Sequence, residues 1–475
     1  MRSEFSTIRH PATFAAVPWR KALPAELGAL YRLGLPMALA QLVQYLAQTV
    51  DVLMLGRLGP EALGGAALGL VLYFAITLVG MGPAMAVSPL VAQAVGGAGR
   101  DPSGLDAARI SVRMALWLTV LMFPLMLAAC FAMEPLALAL GQPESLAAIA
   151  GPYVLALAPG LPFMVGVMIL RNVCAAFGRT RMPLFFIAAS TLANGFLNAL
   201  LIFGLFGFPR LEVVGAGIAS SLAQALGFFL LLGYVCRDPN IRPLQVMRGW
   251  YTPNWTNLRE LLALGLPITL ALTFEMMLFN AAVFLMGQHG VVEVAAYQIG
   301  LNVAAVGYMA AFGMSLAGGT RVGLAAGAGD AVGVKVAAVA SLLGCVLTII
   351  MFAVPIRMLP QTIANLYVPT GTPNGAAVNQ MVVIFLPLVT SFAIFDALQV
   401  SAHQALRGLK DVRAPMLLAG FSFWAIGFPL AAWLSLATPV GARGVWWGLL
   451  AGLMVASVLL GIRLQRQVRA FAAEV

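Results

Sequence analysis

Twelve apolar runs, each long enough to cross a bilayer, dominate this sequence and leave it few folds to choose from. They span approximately 33–55, 62–86, 111–132, 146–170, 183–207, 213–236, 261–286, 291–320, 334–356, 379–406, 414–437 and 440–463. None alternates apolar and polar residues as a barrel strand does. In lipid, every backbone hydrogen bond then has to close inside a helix. The composition, 61% hydrophobic and 9% charged, suits a chain whose solvent is hydrocarbon, since soluble domains carry about a quarter charged residues. The expected fold class is an all-α polytopic membrane protein with twelve transmembrane helices.

The chain repeats itself. "LGLPMALA" at 33–40 is answered by "LGLPITLA" at 264–271, an offset of 231 residues. At the same offset Val52, Gly56, Gly69 and Leu70 meet Val283, Gly287, Gly300 and Leu301. "FGRTRMP" at 177–183 then meets "LKDVRAP" at 409–415, offset 232. A duplicated six-helix unit explains a nearly constant offset. Because six is even, both copies enter from one side, so the two lobes are expected to be related by a pseudo-two-fold along the membrane normal. The expected organisation is an N-terminal arm over 1–32, an N-lobe over 33–236, a polar inter-lobe loop over 237–260, a C-lobe over 261–463 and a tail over 464–475.

The net charge of +10 does not call for nucleic acid. With the N-terminus in the cytoplasm, 23 of the 27 Lys and Arg residues flank cytoplasmic segments, leaving Arg57, Arg210, Arg357 and Arg443 outside. The positive-inside rule accounts for the surplus and puts both termini in the cytoplasm. Residues 1–23 lack the apolar core and cleavage site of a signal peptide. Cys130, Cys174, Cys236 and Cys345 show no metal-ligand spacing and read as small packing residues. No glycine-rich phosphate loop, nucleotide-binding domain or cluster of catalytic side chains is visible. The chain is therefore expected to be neither an enzyme nor dependent on a cofactor.

Three carboxylates lie deep in apolar segments: Asp51, Glu275 and Asp396. An acid at a helix centre costs about 2.5–3.5 kcal/mol on insertion scales, so such residues are functional sites by default. No Lys or Arg is expected at comparable depth. Gln41, Gln44, Gln48 and Asp51 share one helix face, as do Thr191, Asn194 and Asn198, and again Asp396, Gln399 and His403. Polar stripes of this kind avoid lipid and face protein or water. Glu275 differs from the others, standing among Phe274, Met276, Met277 and Phe279. One acid among soft, adaptable side chains suits bulky apolar cations.

"LGLP…VDVLMLGRLG" at the start, "LPITLALTFE" in segment seven and "FDALQVSAHQALRGLKDVRAP" from segment ten onward resemble the multidrug and toxic compound extrusion (MATE) family, in its NorM-type bacterial branch. The resemblance covers nearly the whole chain. It implies a twelve-helix, two-lobed transporter of the bacterial inner membrane, monomeric and surrounded by lipid. Such a protein would export drug-like, mostly cationic small molecules in exchange for H+ or Na+. It further implies an N-lobe cation site at Asp51, Asn194 and Asn198, and a C-lobe cation and substrate site at Glu275 and Asp396. A coupling sodium would sit at one of these two sites. Gln298 and Asn302 match a polar motif lining the cavity in relatives, and Gln44, Gln48, Met276, Phe279, Phe392 and Gln399 are expected to line the cavity as well. Relatives often carry Tyr where this chain has Phe392, which leaves the coupling ion open. A lipid-linked oligosaccharide flippase of the same wider superfamily is the alternative. It would need deep cationic side chains for a pyrophosphate, whereas the deep charges read here are acidic.

Overall fold

The computed structural model describes residues 19–101, 103–368 and 374–475. Most of the expected N-terminal arm, residues 1–18, lies outside the described residues. All twelve expected spans are helices, in order: α1 Arg20–Gly56, α2 Pro60–Gly97, α3 Ser103–Phe131, α4 Glu144–Ala176, α5 Arg181–Phe203, α6 Glu212–Arg237, α7 Trp255–Gly287, α8 Val291–Gly327, α9 Ala331–Met358, α10 Gly375–Gly408, α11 Arg413–Leu436 and α12 Arg443–Glu474. There is no strand among the described residues. Two helices are irregular. A 3₁₀ turn, Ala158–Gly160, interrupts α4, and a π-helical stretch, Phe421–Gly427, lies inside α11.

The duplication is visible in local geometry. The turn into α2 uses Gly59 at φ 118° and the turn into α8 uses Gly290 at φ 134°, 231 residues later. This backbone conformation is open to glycine and strained for any side chain. The same offset relates two close helix crossings. Gly313 of α8 lies against the backbone of Ala38 in α1, and Gly82 of α2 lies against Gly265 and Thr269 of α7. A Cβ at either glycine would overlap backbone atoms of the partner helix. Small residues are what let helices approach this closely in a membrane, where packing must hold them together.

These crossings explain how the chain divides. Its compact units are residues 39–269, called unit 1, and residues 19–38 with 270–475, called unit 2. The cuts at Leu39 and Leu270 fall at repeat-equivalent positions, just beyond Pro36 and Pro267 inside α1 and α7. The repeat and the compact unit are therefore not coextensive, because the first part of each of these helices packs with the other copy's elements. In unit 2 the beginning of α1 is fixed by the Glu26–Arg321 ion pair and by Tyr31, whose hydroxyl donates to the Gly344 carbonyl at 3.2 Å. In unit 1 Thr269 Oγ1 donates to the Leu78 carbonyl at 3.3 Å.

The polar stretch after α6 is held rather than loose. Arg109, Arg113 and Trp117, one turn apart on α3, donate to the carbonyls of Leu244 (2.8 Å), Gly249 (2.6 Å) and Trp250 (2.8 Å). Its last residues, from Trp255, already belong to α7. Cys130, Cys174 and Cys345 are buried, as packing residues should be, whereas Cys236 near the end of α6 is exposed.

The glycine crossings yield a stability prediction. Gly82→Val and Gly313→Val should each lower the thermal stability of detergent-purified protein by about 1–3 kcal/mol or prevent folding, as overpacking does. Gly461→Ala, where an added Cβ meets nothing within 4 Å, should leave it unchanged. Thermal melts followed by size exclusion check this. Normal melts for both valine variants would show that neither crossing stabilises the unit that contains it.

Candidate functional site

In unit 1 the expected trio comes together. Asp51 is half-buried on α1, and Asn198 of α5 donates to its Oδ1 at 2.5 Å. The same amide also donates to Asn194 Oδ1 at 3.3 Å, and Asn194 in turn donates to Ser220 Oγ of α6 at 3.2 Å. Asn198 is fully buried, and its own Oδ1 has no hydrogen-bond partner among the described residues. A buried acceptor left open beside a carboxylate costs free energy until a cation or proton donor fills it. Tyr153 of α4, 3% exposed, also lies within electrostatic range of Asp51. Ser220 and Tyr153 were not anticipated. The only hint of the former is the "SS" pair within the apolar run of α6.

The glutamines on the same face of α1 differ in setting. Gln44 is half-buried and Gln48 exposed, while Gln41 is buried and accepts a 2.6 Å hydrogen bond from Arg171 Nη1 of α4. Two neutral amides thus stand between a cation at one end of the stripe and a carboxylate at the other.

In unit 2 Glu275 of α7 is half-buried and Asp396 of α10 is 4% exposed, and the two interact electrostatically. Asp396 Oδ1 has no hydrogen-bond partner among the described residues, and neither has Gln399 Oε1 or His403 Nε2 along the same helix face. The stripe read from the sequence therefore presents a row of open polar atoms inside the unit. Phe392 is 2% exposed and packs edge-on to Phe279, with centroids 5.9 Å apart, and to Trp446 at 5.7 Å. Met276 is half-buried, and Gln298 and Asn302 are exposed one turn apart on α8. The π-helical stretch of α11 bears on this site as well. Trp424 within it donates its indole N–H to the Phe274 carbonyl at 3.2 Å, one residue from Glu275. π-bulges are frequent at functional sites because they redirect side chains locally.

One expectation is corrected. Cations do lie deep in the fold. Arg407, on the last turn of α10, is 6% exposed and within electrostatic range of Glu275, and Tyr308 of α8 lies in the field of Glu275, Asp396 and Arg407 together. Arg171 is 5% exposed. Both arginines stand close to the ends of apolar segments, where a charge reads as a cytoplasmic flank. Packing within each unit, which a single sequence does not display, is what buries them.

Comparison with known proteins agrees with this geometry. The MatE family model matches residues 36–200 and again 267–433. The two matches begin 231 residues apart, at the offset of the internal repeat. The probable multidrug resistance protein NorM of Rhizobium meliloti is 37% identical over 456 residues, covering 95% of each chain. Its namesake from Bradyrhizobium diazoefficiens is 35% identical over 466 residues, covering 97% of each. Among solved structures, a MATE in the straight conformation superposes with a TM-score of 0.85 at 19% identity, covering 94% of this chain and 97% of that one. The eukaryotic MATE transporter AtDTX14 superposes with a TM-score of 0.81 at 21% identity, covering 95% of this chain and 99% of that one. The structures bear on the fold alone. Doubled family match and nearly full-length relatives together settle the lineage: this chain belongs to the MatE family.

Proposed function

We propose that the protein is a secondary active multidrug efflux transporter of the bacterial inner membrane, with both termini in the cytoplasm. It exports organic, mostly cationic compounds in exchange for H+ or Na+. The observation that carries this reading is Asp396, a carboxylate 4% exposed inside a membrane-spanning helix, with an oxygen that no described residue satisfies. A group left in that condition is expensive to keep unless it takes up and releases a cation. The multidrug resistance names of the relatives support the substrate class. Asp51, Asn194 and Asn198 form the coupling site of unit 1, and Glu275 and Asp396 that of unit 2. The Met and Phe side chains around Glu275 offer an adaptable surface for substrate.

In this mechanism each cation that reaches a buried carboxylate removes an unfavourable charge from the protein interior. A difference of a few kcal/mol between occupied and empty states is enough to bias two helix arrangements. Substrate binding favours one arrangement and cation binding the other, and the cation gradient drives the cycle.

The flippase alternative gains one point from the structure, since Arg171 and Arg407 bring positive charge inside the units. Arg407, however, shares its surroundings with two carboxylates, which would oppose a pyrophosphate there. The efflux reading accounts for all three acids.

Asp51→Asn tests the division of roles. It should abolish efflux of a cationic dye such as ethidium from cells while leaving dye affinity, measured by fluorescence anisotropy on purified protein, within about threefold of wild type. Equal loss of affinity and efflux would replace the two roles by a single shared site.

A further inference from the structure

His403 has no task in the coupling chemistry at Asp51, Glu275 and Asp396, yet it is an imidazole buried inside a membrane-spanning helix, 6% exposed. Its ring is hydrogen-bonded on one side to the backbone of Pro415, in the first turn of α11. Proline has no backbone N–H, so the bond runs from a ring N–H to the Pro415 carbonyl. His403 Nε2 has no hydrogen-bond partner among the described residues, which makes Nδ1 the donor. In the neutral ring this leaves Nε2 as an acceptor. An amide could hold the Pro415 carbonyl equally well. It could not offer a basic nitrogen on the other side, and a buried, open nitrogen costs free energy.

The place of His403 on α10 supplies its task. Asp396, Gln399 and His403 lie on one helix face and are all buried. Asp396 Oδ1, Gln399 Oε1 and His403 Nε2 are all open among the described residues. The row covers about 10 Å of helix axis. It runs toward the end of α10 at Gly408, the end that the charge asymmetry of the sequence assigns to the cytoplasm. Open polar atoms at this spacing are the anchors that a short chain of ordered waters requires. The charges around the row come from several elements. Arg407 on α10 acts on the His403 ring, Glu275 on α7 acts on Asp396, and Tyr308 on α8 lies in the field of Glu275, Asp396 and Arg407. At His403 the guanidinium decides: it repels an imidazolium, so a proton that reaches the ring is handed on and not stored.

We propose that His403 is a proton relay between Asp396 and the cytoplasm. The O–H bond of protonated Asp396 breaks, and water along Gln399 carries the proton to His403 Nε2, where an N–H bond forms. Nδ1 then gives its proton to water at the cytoplasmic end of α10, and a half-turn of the ring restores the starting tautomer. One proton enters the row and one leaves it. This rests on the efflux reading with proton exchange at Asp396, and adds the route by which the proton is released.

The test uses full-length protein in proteoliposomes with a pH-sensitive dye trapped inside, and follows the proton movement that added ethidium starts. His403→Asn keeps an amide N–H for the Pro415 carbonyl and has no nitrogen that relays. Its proton flux should fall about tenfold or more, as when a positioned acid–base group is removed. Its ethidium affinity, measured by fluorescence anisotropy in detergent, should stay within about threefold of wild type. Imidazole added to the buffer should restore much of the flux, which it would not do for a side chain that only held α11 in place. Nitrogen NMR of protein labelled at its histidine rings, with His10→Gln and His289→Gln to isolate His403, should show a protonated Nδ1 and a bare Nε2. That readout holds even if His403→Asn does not fold. Unchanged flux in His403→Asn, a loss matched by lost ethidium affinity, a loss that imidazole does not repair, or a protonated Nε2 overturns the relay and leaves the efflux reading in place. Wild-type protein that moves ethidium without moving protons refutes proton exchange at Asp396, and the relay with it.

Discussion

Asp396→Asn and Glu275→Gln should each reduce ethidium efflux to the level of cells lacking the protein. Their stabilities should nevertheless differ. Asp396 Oδ1 has no hydrogen-bond partner among the described residues, so the amide sacrifices no contact at that atom. It also removes a charge whose burial costs about 2.5–3.5 kcal/mol on insertion scales. Asp396→Asn should therefore accumulate in the membrane at wild-type level or above. Glu275 has Arg407 within electrostatic range. Neutralising Glu275 relieves one buried charge but takes an opposite charge away from Arg407, so Glu275→Gln should accumulate less well than Asp396→Asn. Immunoblots of membrane fractions beside dye efflux from the same cells separate the two effects. Normal efflux by both variants would remove unit 2 from the coupling mechanism. Loss of efflux only in proportion to lost protein would make the two acids structural.

Apolar length and period settle the number and order of the helices, because a chain in lipid has no other way to satisfy its backbone. The repeat was legible for the same reason that it is structural. Gly69 and Gly300, one pair that carries it, are both hemmed in by aromatic side chains, and the structure adds Gly59 with Gly290 and Gly82 with Gly313 at the same offset. Helix-face arithmetic brought Asn194 and Asn198 onto one side of α5, and the structure sets that side against Asp51. What the sequence hid is packing across long separations. Ser220 reaches Asn194 only because α5 and α6 lie together, and Trp424 reaches Phe274 across 150 residues. The exchange of the first parts of α1 and α7 between units goes with close glycine crossings, which no hydropathy pattern encodes.

The buried arginines carry the clearest lesson. A charge at the edge of an apolar segment normally reaches out of the membrane, and the positive-inside count treats it that way. Arg171 and Arg407 fall at such edges, yet they are 5% and 6% exposed. The count over the whole chain survives this, since two residues among 27 Lys and Arg do not alter its asymmetry. The local electrostatics change more. In unit 2 Arg407 offsets part of the charge of Glu275, while Asp396 has the like charge of Glu275 beside it.

That balance bears on the coupling ion, for which we expect proton-driven transport. Sodium is held by several oxygens converging on one point, and one turn before Asp396 its helix face offers none. The residue one turn earlier, Phe392, presents an apolar ring already packed against Phe279 and Trp446. The neighbouring Phe395 carbonyl accepts a 2.8 Å hydrogen bond from Ser457 Oγ. A proton asks for one open carboxylate oxygen, and Asp396 Oδ1 is that atom. Unit 1 would suit sodium better, since Asn198 Oδ1 stands open near Asp51; the experiment must therefore vary the two ions separately. Proteoliposomes at fixed membrane potential should move dye when an inward proton gradient is imposed without sodium, and should fail to move it when an inward sodium gradient is imposed without a pH difference. Asp396→Asn should abolish the proton-driven flux. Transport that follows the sodium gradient alone would refute proton coupling and shift the coupling site to Asp51 and Asn198.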